Sequence, residues 1–211
     1  MGTKAGLRRI GSYAAEQTTP PSALAQQLYR DSVSTFHEPR ISCGRVKGML
    51  LQTLVAALRA KRVLEIGMYA GFSALMMAEA LPDDGELITC EIDHEKIAFG
   101  QQYFTRSPHG HKITVREGPA SETIKTLQGP FDFVFLDAEK TGYLAYYEAT
   151  LPLIAQGGLI AVDDVLFGSV PEPKHDRGPD MVAFNEHVRN DDRVSQVMLA
   201  VHSGLTIIRK L

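Results

Sequence analysis

From Lys61 onward the sequence alternates short apolar runs with longer helical patterns, and that alternation commits the chain to βαβ units wound about a parallel sheet. The runs RVLEIG (62 to 67), ELITCEI (86 to 92), KITVREG (112 to 118), FDFVFLD (131 to 137) and GLIAVDD (158 to 164) read as strands. Helical patterns fall between them at 72 to 81, 94 to 106, 120 to 128 and 142 to 155, and turn residues such as PDDG (82 to 85) and QGG (156 to 158) mark the joints. A long loop, GSVPEPKHDRGPD (168 to 180), follows the fifth strand, because its prolines and glycines forbid regular structure. The remainder predicts a helix over 181 to 191 and strands over 194 to 200 and 205 to 210, paired as an antiparallel hairpin through the short VHSG connection. Residues 20 to 60 read as helical apart from a break around HEPRISCG, so residues 1–60 form a helical segment packed on a core spanning 61–211.

Composition narrows the partners. A chain of 211 residues, 44% hydrophobic and 22% charged, supports one domain with a full core. The formal net charge of −3, with no long basic run, disfavours nucleic acid and an anionic membrane and favours a small molecule. Cys43 and Cys90 form neither a disulfide framework nor a metal-spaced pair and read as buried free thiols, which suits a reducing compartment. The opening MGTKAGLRRI has no apolar signal core, and no apolar run reaches membrane-spanning length, so a cytoplasmic location is expected.

The stretch LEIGMYAGFS (64 to 73) places Glu65, Gly67 and Gly71 at the step from the first strand into a helix. Glycines there let a ligand approach the backbone beside the free N–H donors of a helix start. Glu91 ends the second strand, where doubly wound folds hold an acid against ribose hydroxyls. A nicotinamide dinucleotide would want a glycine at Glu65, since an anion there opposes a pyrophosphate. S-adenosylmethionine (SAM) has no pyrophosphate and carries an ammonium and a sulfonium, so the acidic turn suits it better.

Strand four ends in Asp137 and strand five in Asp163 and Asp164. Neighbouring strands lie roughly 4.8 Å apart, which brings three carboxylates toward one point. They repel unless a cation or protons compensate, and oxygen-only ligation indicates a hard ion, magnesium first, with calcium or manganese as alternatives. Because successive strand residues face opposite ways, both aspartates serve one ion only if the chain turns there. Lys140, three residues beyond Asp137, is the expected general base, and in-line attack on the SAM methyl is the reaction implied.

With these residues in place, the chain resembles the cation-dependent class I O-methyltransferases, in particular the caffeoyl-CoA O-methyltransferase group and more distantly catechol O-methyltransferase. The resemblance runs from about Ile41 to the C-terminus through LEIGMYAGFSALMMAEALPDDGEL, VREGPA, FDFVFLDAEKTGYLAYYEATLPLIAQGGLIAVDD and GLTIIRK. It implies a Rossmann-like, seven-stranded, mostly parallel sheet with a reversed last strand and helices on both faces, in a homodimer. It also implies a SAM site made by Glu65, Gly67, Met68, Gly71, Ser73, Glu91, Ala120, Asp137, Glu139 and Tyr146, metal ligands Asp137, Asp163 and Asp164, and a catalytic pair of Lys140 and Asp137. Three departures stand out: Asp164 where the family usually has Asn, Glu91 where Asp is commoner, and Gly168 after Phe167 where an aromatic–Asn pair often helps hold substrate. The expected acceptor is a small molecule with adjacent oxygens, catechol-like. The alternatives are a metal-independent SAM methyltransferase acting on nitrogen or a carboxylate, a non-catalytic SAM-binding scaffold and, last, a nicotinamide oxidoreductase. Of the histidines, His109 and His111 read as a surface turn, His175 as loop, and His202 lies before the last hairpin turn near the catalytic edge.

Overall fold

A computed structural model of the protein describes residues 4–38, 43–166 and 178–211, with the side chains of the first helix described from Arg9 onward. Three helices come first: α1 (Lys4–Gln17), α2 (Ala23–Phe36) and α3 (Gly44–Leu58). The alternating core follows as β1 (Arg62–Ile66), α4 (Phe72–Ala78), β2 (Glu86–Glu91), α5 (His94–Arg106), β3 (Ile113–Glu117), α6 (Ala120–Thr126), β4 (Phe131–Leu136), α7 (Tyr143–Thr150) and β5 (Ile154–Asp163). It closes with α8 (Gly178–Arg189), β6 (Val194–Leu199) and β7 (Leu205–Lys210). The strands form one seven-stranded sheet in the order β3-β2-β1-β4-β5-β7-β6. β7 alone runs against its neighbours, antiparallel to both β5 and β6.

The central strands are apolar on both faces because both are covered, as a parallel sheet with helices on each side requires. Along β1 and β4 the side chains alternate between two cores. Val63, Phe133 and Phe135 join Leu28, Leu51, Val55, Phe72 and Leu75 beneath α2, α3 and α4. Leu64, Ile66, Val134 and Leu136 join Tyr143, Tyr147, Phe184 and Val188 beneath α7 and α8. Helix starts carry caps where the sequence supplies them: Ser22 Oγ accepts from Ala25 N–H, and Asp93 accepts from Glu95 and Lys96 N–H.

The expected strands recur within two residues, with one exception. The helix expected to reach residue 155 stops at Thr150, a 3-10 turn covers Leu151–Leu153, and β5 begins at Ile154 rather than 158. Pro152 contributes to this by removing a backbone donor, although Leu151 itself stays helical (φ −54°, ψ −41°) and the chain becomes extended only at Ile154. The QGG segment lies inside β5, where Gly157 takes φ +76° and the pairing with β4 shifts register between Phe131 and Phe133. The 168 to 180 loop, apart from Gly178 onward, lies outside the described residues, as do His175, Phe167, Gly168 and Ile41. Among the described residues no helix is long and apolar enough to cross a membrane. Both cysteines are free and buried, and burial pushes the Cys90 thiol up to about 11.

Candidate active site

The carboxyl ends of β1, β2, β4 and β5 meet along one edge of the sheet. At its β1–β2 side the chain leaves β1 through Gly67 (φ +96°), whose N–H, like that of Met68, donates to Cys90 O at 3.1 Å. A Cβ at Gly67 would stand 2.2 Å from the Asp137 carbonyl oxygen, so the glycine is required by the backbone of β4 next door. Gly71 (φ +90°) starts α4, and a Cβ there would meet the Phe104 ring at 2.5 Å. Met68 and Ser73 are buried within this turn.

Glu65 is fully buried; its Oε2 accepts the Thr89 hydroxyl at 2.5 Å, while Oε1 has no hydrogen-bond partner. Burial raises its pKa to about 8, against the opposing effect of the Ser73 and Thr89 hydroxyls. A buried carboxyl with one orphaned oxygen fits a cationic donor such as an ammonium group. Glu91 is set differently. Its Oε2 accepts Tyr69 N–H at 2.8 Å, and Oε1 accepts Ile92 and Asp93 N–H at 2.8 and 3.0 Å, which fixes the carboxylate at the strand end and leaves about one lone pair, on Oε2, for a hydroxyl donor. Ala120 begins α6 and is buried, Glu139 is exposed, and Tyr146 is half-buried. Burial first, and then Cys90 and Glu139, raise the Tyr146 pKa.

On the β4–β5 side the two adjacent aspartates do turn toward a common region, because Asp164 takes the left-handed conformation (φ +58°). Asp164 N–H donates to Gly204 O at 3.0 Å and to Asp163 Oδ1 at 2.7 Å. Lys140, nearly buried, reaches Asp137 Oδ1 at 3.2 Å, Asp164 Oδ2 at 3.3 Å and the Tyr143 hydroxyl at 2.6 Å. The Ser203 hydroxyl donates to Asp164 Oδ1.

One functional residue escaped the sequence. Lys47, on α3 and only 3% exposed, forms an ion pair with Asp163, itself 2% exposed, and lies 3.5 Å from Asp164 Oδ1. It shares the buried face of α3 with Leu51 and Val55, four and eight residues on. A lysine in step with an apolar stripe is the signal that could have revealed it.

The electrostatics follow from burial among like charges. Burial, then Asp137, lifts Asp163 to about 7 against the pull of Lys47. Asp137 is raised by burial, with Lys140 opposing. Burial works against the Asp164 carboxylate too, but Lys140, the Ser203 hydroxyl and Lys47 together take its pKa below the usual value. For Lys47, burial disfavours the ammonium, yet Asp163 and then Asp164 and Asp137 outweigh it and its pKa rises. Two ammonium groups thus already offset two of the three carboxylate charges.

That arrangement does not fit the expected divalent ion. Among the described residues, the trio of metal-ligating side chains with donor atoms within 4.8 Å of one another is Glu148, His187 and Asp191, not the three aspartates. That other trio is a surface latch: Arg193 bridges Glu148 and Asp191 at 2.6 Å each. His202 is exposed in the hairpin turn, its pKa lowered by burial and then by Lys47. His109 instead meets Lys112 Nζ at 3.1 Å, away from the edge, and His111 is exposed.

Comparison with known proteins gives a consistent result. The family model for O-methyltransferase matches residues 15–211. A caffeoyl-CoA O-methyltransferase 2 of Zea mays is 38% identical over 182 residues, covering 78% of this chain and 68% of that protein. The caffeoyl-CoA O-methyltransferase of Petroselinum crispum is 36% identical over 180 residues, covering 78% and 75%. Among solved structures, the SAH-bound Podospora anserina methyltransferase PaMTH1 superposes with a TM-score of 0.90 at 27% identity over 100% of this chain and 97% of its own. The O-methyltransferase TomG of Streptomyces achromogenes, in complex with SAM, gives 0.88 at 25% identity over 100% and 99%.

Proposed function

The chain belongs to the O-methyltransferase family, and from that premise we propose that it transfers the methyl group of SAM to an oxygen of a small, catechol-like acceptor at the carboxyl edge of the sheet. As an O-methyltransferase of the caffeoyl-CoA type it is SAM-dependent, a reading supported by its likeness to the SAH- and SAM-bound structures.

Each end of SAM has a matching group. The orphaned oxygen of Glu65 suits the methionine ammonium, Glu91 suits the ribose hydroxyls, and Met68, Ala120, Glu139 and Tyr146 flank the remainder, with Gly67, Gly71 and Ser73 keeping the turn open. Lys140, ion-paired with Asp137 and Asp164 in the resting site, must first release a proton to solvent; it then takes the proton of the acceptor hydroxyl as the O–C bond forms and the C–S bond breaks, leaving S-adenosylhomocysteine and the ammonium restored. Asp137, Asp164 and Tyr143 hold the Lys140 amine in place. Catalysis on this account is mostly positioning and charge placement.

The sequence expectation adds a divalent cation, magnesium first, with Asp137, Asp163 and Asp164 as the ligands. Such an ion would polarise the acceptor oxygens, but the lysine-filled cluster does not fit it, and no step above requires it. A homodimer and a cytoplasmic location complete the proposal.

The observation that carries this reading is Lys140, nearly buried and triply held beside the cofactor turn. It is tested by transfer of labelled methyl from SAM to a panel of catechols and other phenols. Lys140→Met should lower kcat by about 10²–10⁴-fold with SAM affinity retained. A normal rate would remove Lys140 from the mechanism, and methyl transfer confined to amines or carboxylates would replace the acceptor class.

A further inference from the structure

We propose that Lys47 is a built-in counter-cation for the aspartate cluster, so that this enzyme works without a divalent ion. The inference rests on the O-methyltransferase reading and concerns how the same site balances its charge.

The placement begins in α3. Gly48 lets this helix close on α4, since a Cβ there would sit 2.7 Å from the Phe72 ring. Leu51 and Val55 then lie wholly in the core, and Lys47, one turn before Leu51, is carried to the end of β5. Its four-carbon stem runs through the interior, and its ammonium emerges between Asp163 and Asp164. An ammonium is seldom buried unless paired, and here the pairing covers two of the three proposed metal ligands.

Lys140 completes the compensation from the other side by bridging Asp137 and Asp164. With all five groups charged, three carboxylates against two ammonium groups leave one net negative charge, which suits the positive sulfonium of SAM. A divalent ion entering this arrangement would make the cluster net positive and bring a cation against two buried ammonium groups, which repel it. Magnesium also demands near-ideal octahedral geometry and dehydrates reluctantly, conditions poorly met by carboxylates already taken up in ion pairs.

The acceptor consequence is definite. Chelation selects acceptors with two adjacent oxygens, whereas ammonium donors require only one hydroxyl that becomes an oxyanion. Simple phenols should therefore be methylated alongside catechols.

The test uses manganese as a paramagnetic probe. Mn²⁺ titrated into the full-length protein, with and without SAM, is followed by electron paramagnetic resonance. The wild type should bind no stoichiometric Mn²⁺, whereas Lys47→Met, which frees Asp163 and removes one of the two ammonium groups beside Asp164, should acquire a site that Lys47→Arg does not. In the transfer assay a chelator should leave the wild-type rate unchanged, although a metal-assisted enzyme would lose on the order of 10²-fold or more. Stoichiometric Mn²⁺ binding by the wild type, or chelator-sensitive turnover, overturns the proposal. Metal binding is read without an acceptor, so failure of every acceptor would count against the proposed function while leaving this result intact. If Lys47→Met does not fold, the wild-type titration and Lys47→Arg decide the question.

Discussion

On the β1–β2 side of the catalytic edge, Glu65 and Glu91 find their partners nearby in the chain, at Thr89 and at Tyr69, Ile92 and Asp93, within 24 residues. On the β4–β5 side, Asp163 takes its partner from Lys47, 116 residues away. The first half is a local device, a turn and two strand ends that bring their own donors. The second is local at Lys140, three residues from Asp137, but its Asp163 pair forms only once the N-terminal helices have docked, which ties the charge of the catalytic cluster to the packing of α3. A local motif therefore identifies the cofactor, while long-range packing decides how the chemistry is done.

The two halves of the edge are joined at Gly67, and the largest effect is expected there. Gly67→Ala places a Cβ 2.2 Å from the Asp137 carbonyl oxygen at a positive φ, so β1 and β4 must part. The expected cost is more than about 4 kcal/mol of unfolding free energy, at the exceptional end for a point mutation. Urea unfolding monitors it, and a wild-type midpoint would show that the edge can yield. Asp163→Ala comes next. It leaves the buried Lys47 ammonium with only Asp164, 3.5 Å away, and should cost up to about 3–5 kcal/mol in the same measurement. Asp163→Ala combined with Lys47→Met should recover much of that loss, because no unpaired charge remains; an additive double variant would refute the pairing.

The same division explains what could be read in the sequence. The strands, the β6–β7 hairpin and the glycine turn were legible because they rest on periodicity and on residues close in the chain, whereas the reversal of β7 against the rest of the sheet was an implication of the family resemblance. Asp137, Asp163 and Asp164 lie in one region linked through Lys47 and Lys140 rather than meeting at a single point, and the turn required at Asp164 is present, although φ +58° at a non-glycine residue cannot be read from DDV. Lys47 was not legible as a partner, since nothing in GRVKGML says which strand end α3 will meet. The start of β5 at Ile154 was obscured by QGG, which reads as a turn but forms an irregularity within the strand. Asp164, standing where the resembled family usually has Asn, becomes intelligible only beside its two lysines.

Glu65 sets the β1–β2 half apart through its response to pH. Its pKa is raised to about 8, so the folded protein keeps a proton that the unfolded chain, with a carboxyl near about 4.3, has released. Stability therefore falls as pH rises from about 4.3 to about 8 and then levels off. Glu65→Gln should flatten this decline and stabilise the cofactor-free protein at pH 8 by about 1–3 kcal/mol, while weakening SAM binding. In the wild type, SAM binding near pH 7 should release a proton as its ammonium pairs with the carboxylate. Calorimetry in buffers of differing ionisation enthalpy detects this, and a buffer-independent heat would show that Glu65 does not meet the charge.

The smallest effect is expected at Glu91. Its two oxygens accept three backbone N–H groups, with Tyr69 on one oxygen and Ile92 and Asp93 on the other. Glu91→Gln keeps one acceptor and turns the other into a donor, so one backbone N–H must face an NH₂ whichever way the amide is oriented. Holding the Ile92 and Asp93 bonds preserves the larger share and sacrifices Tyr69, which loosens the turn between Gly67 and Gly71. Glu91 is only half-buried, so water can take the lost partner's place. The loss should be about 1 kcal/mol, roughly fivefold in SAM affinity by calorimetry, with little change in kcat once SAM is saturating. A larger fall in kcat than in affinity would mean that the cofactor turn and the lysine-bridged cluster are coupled through Gly67, and the two halves of the edge would then have to be treated as one device.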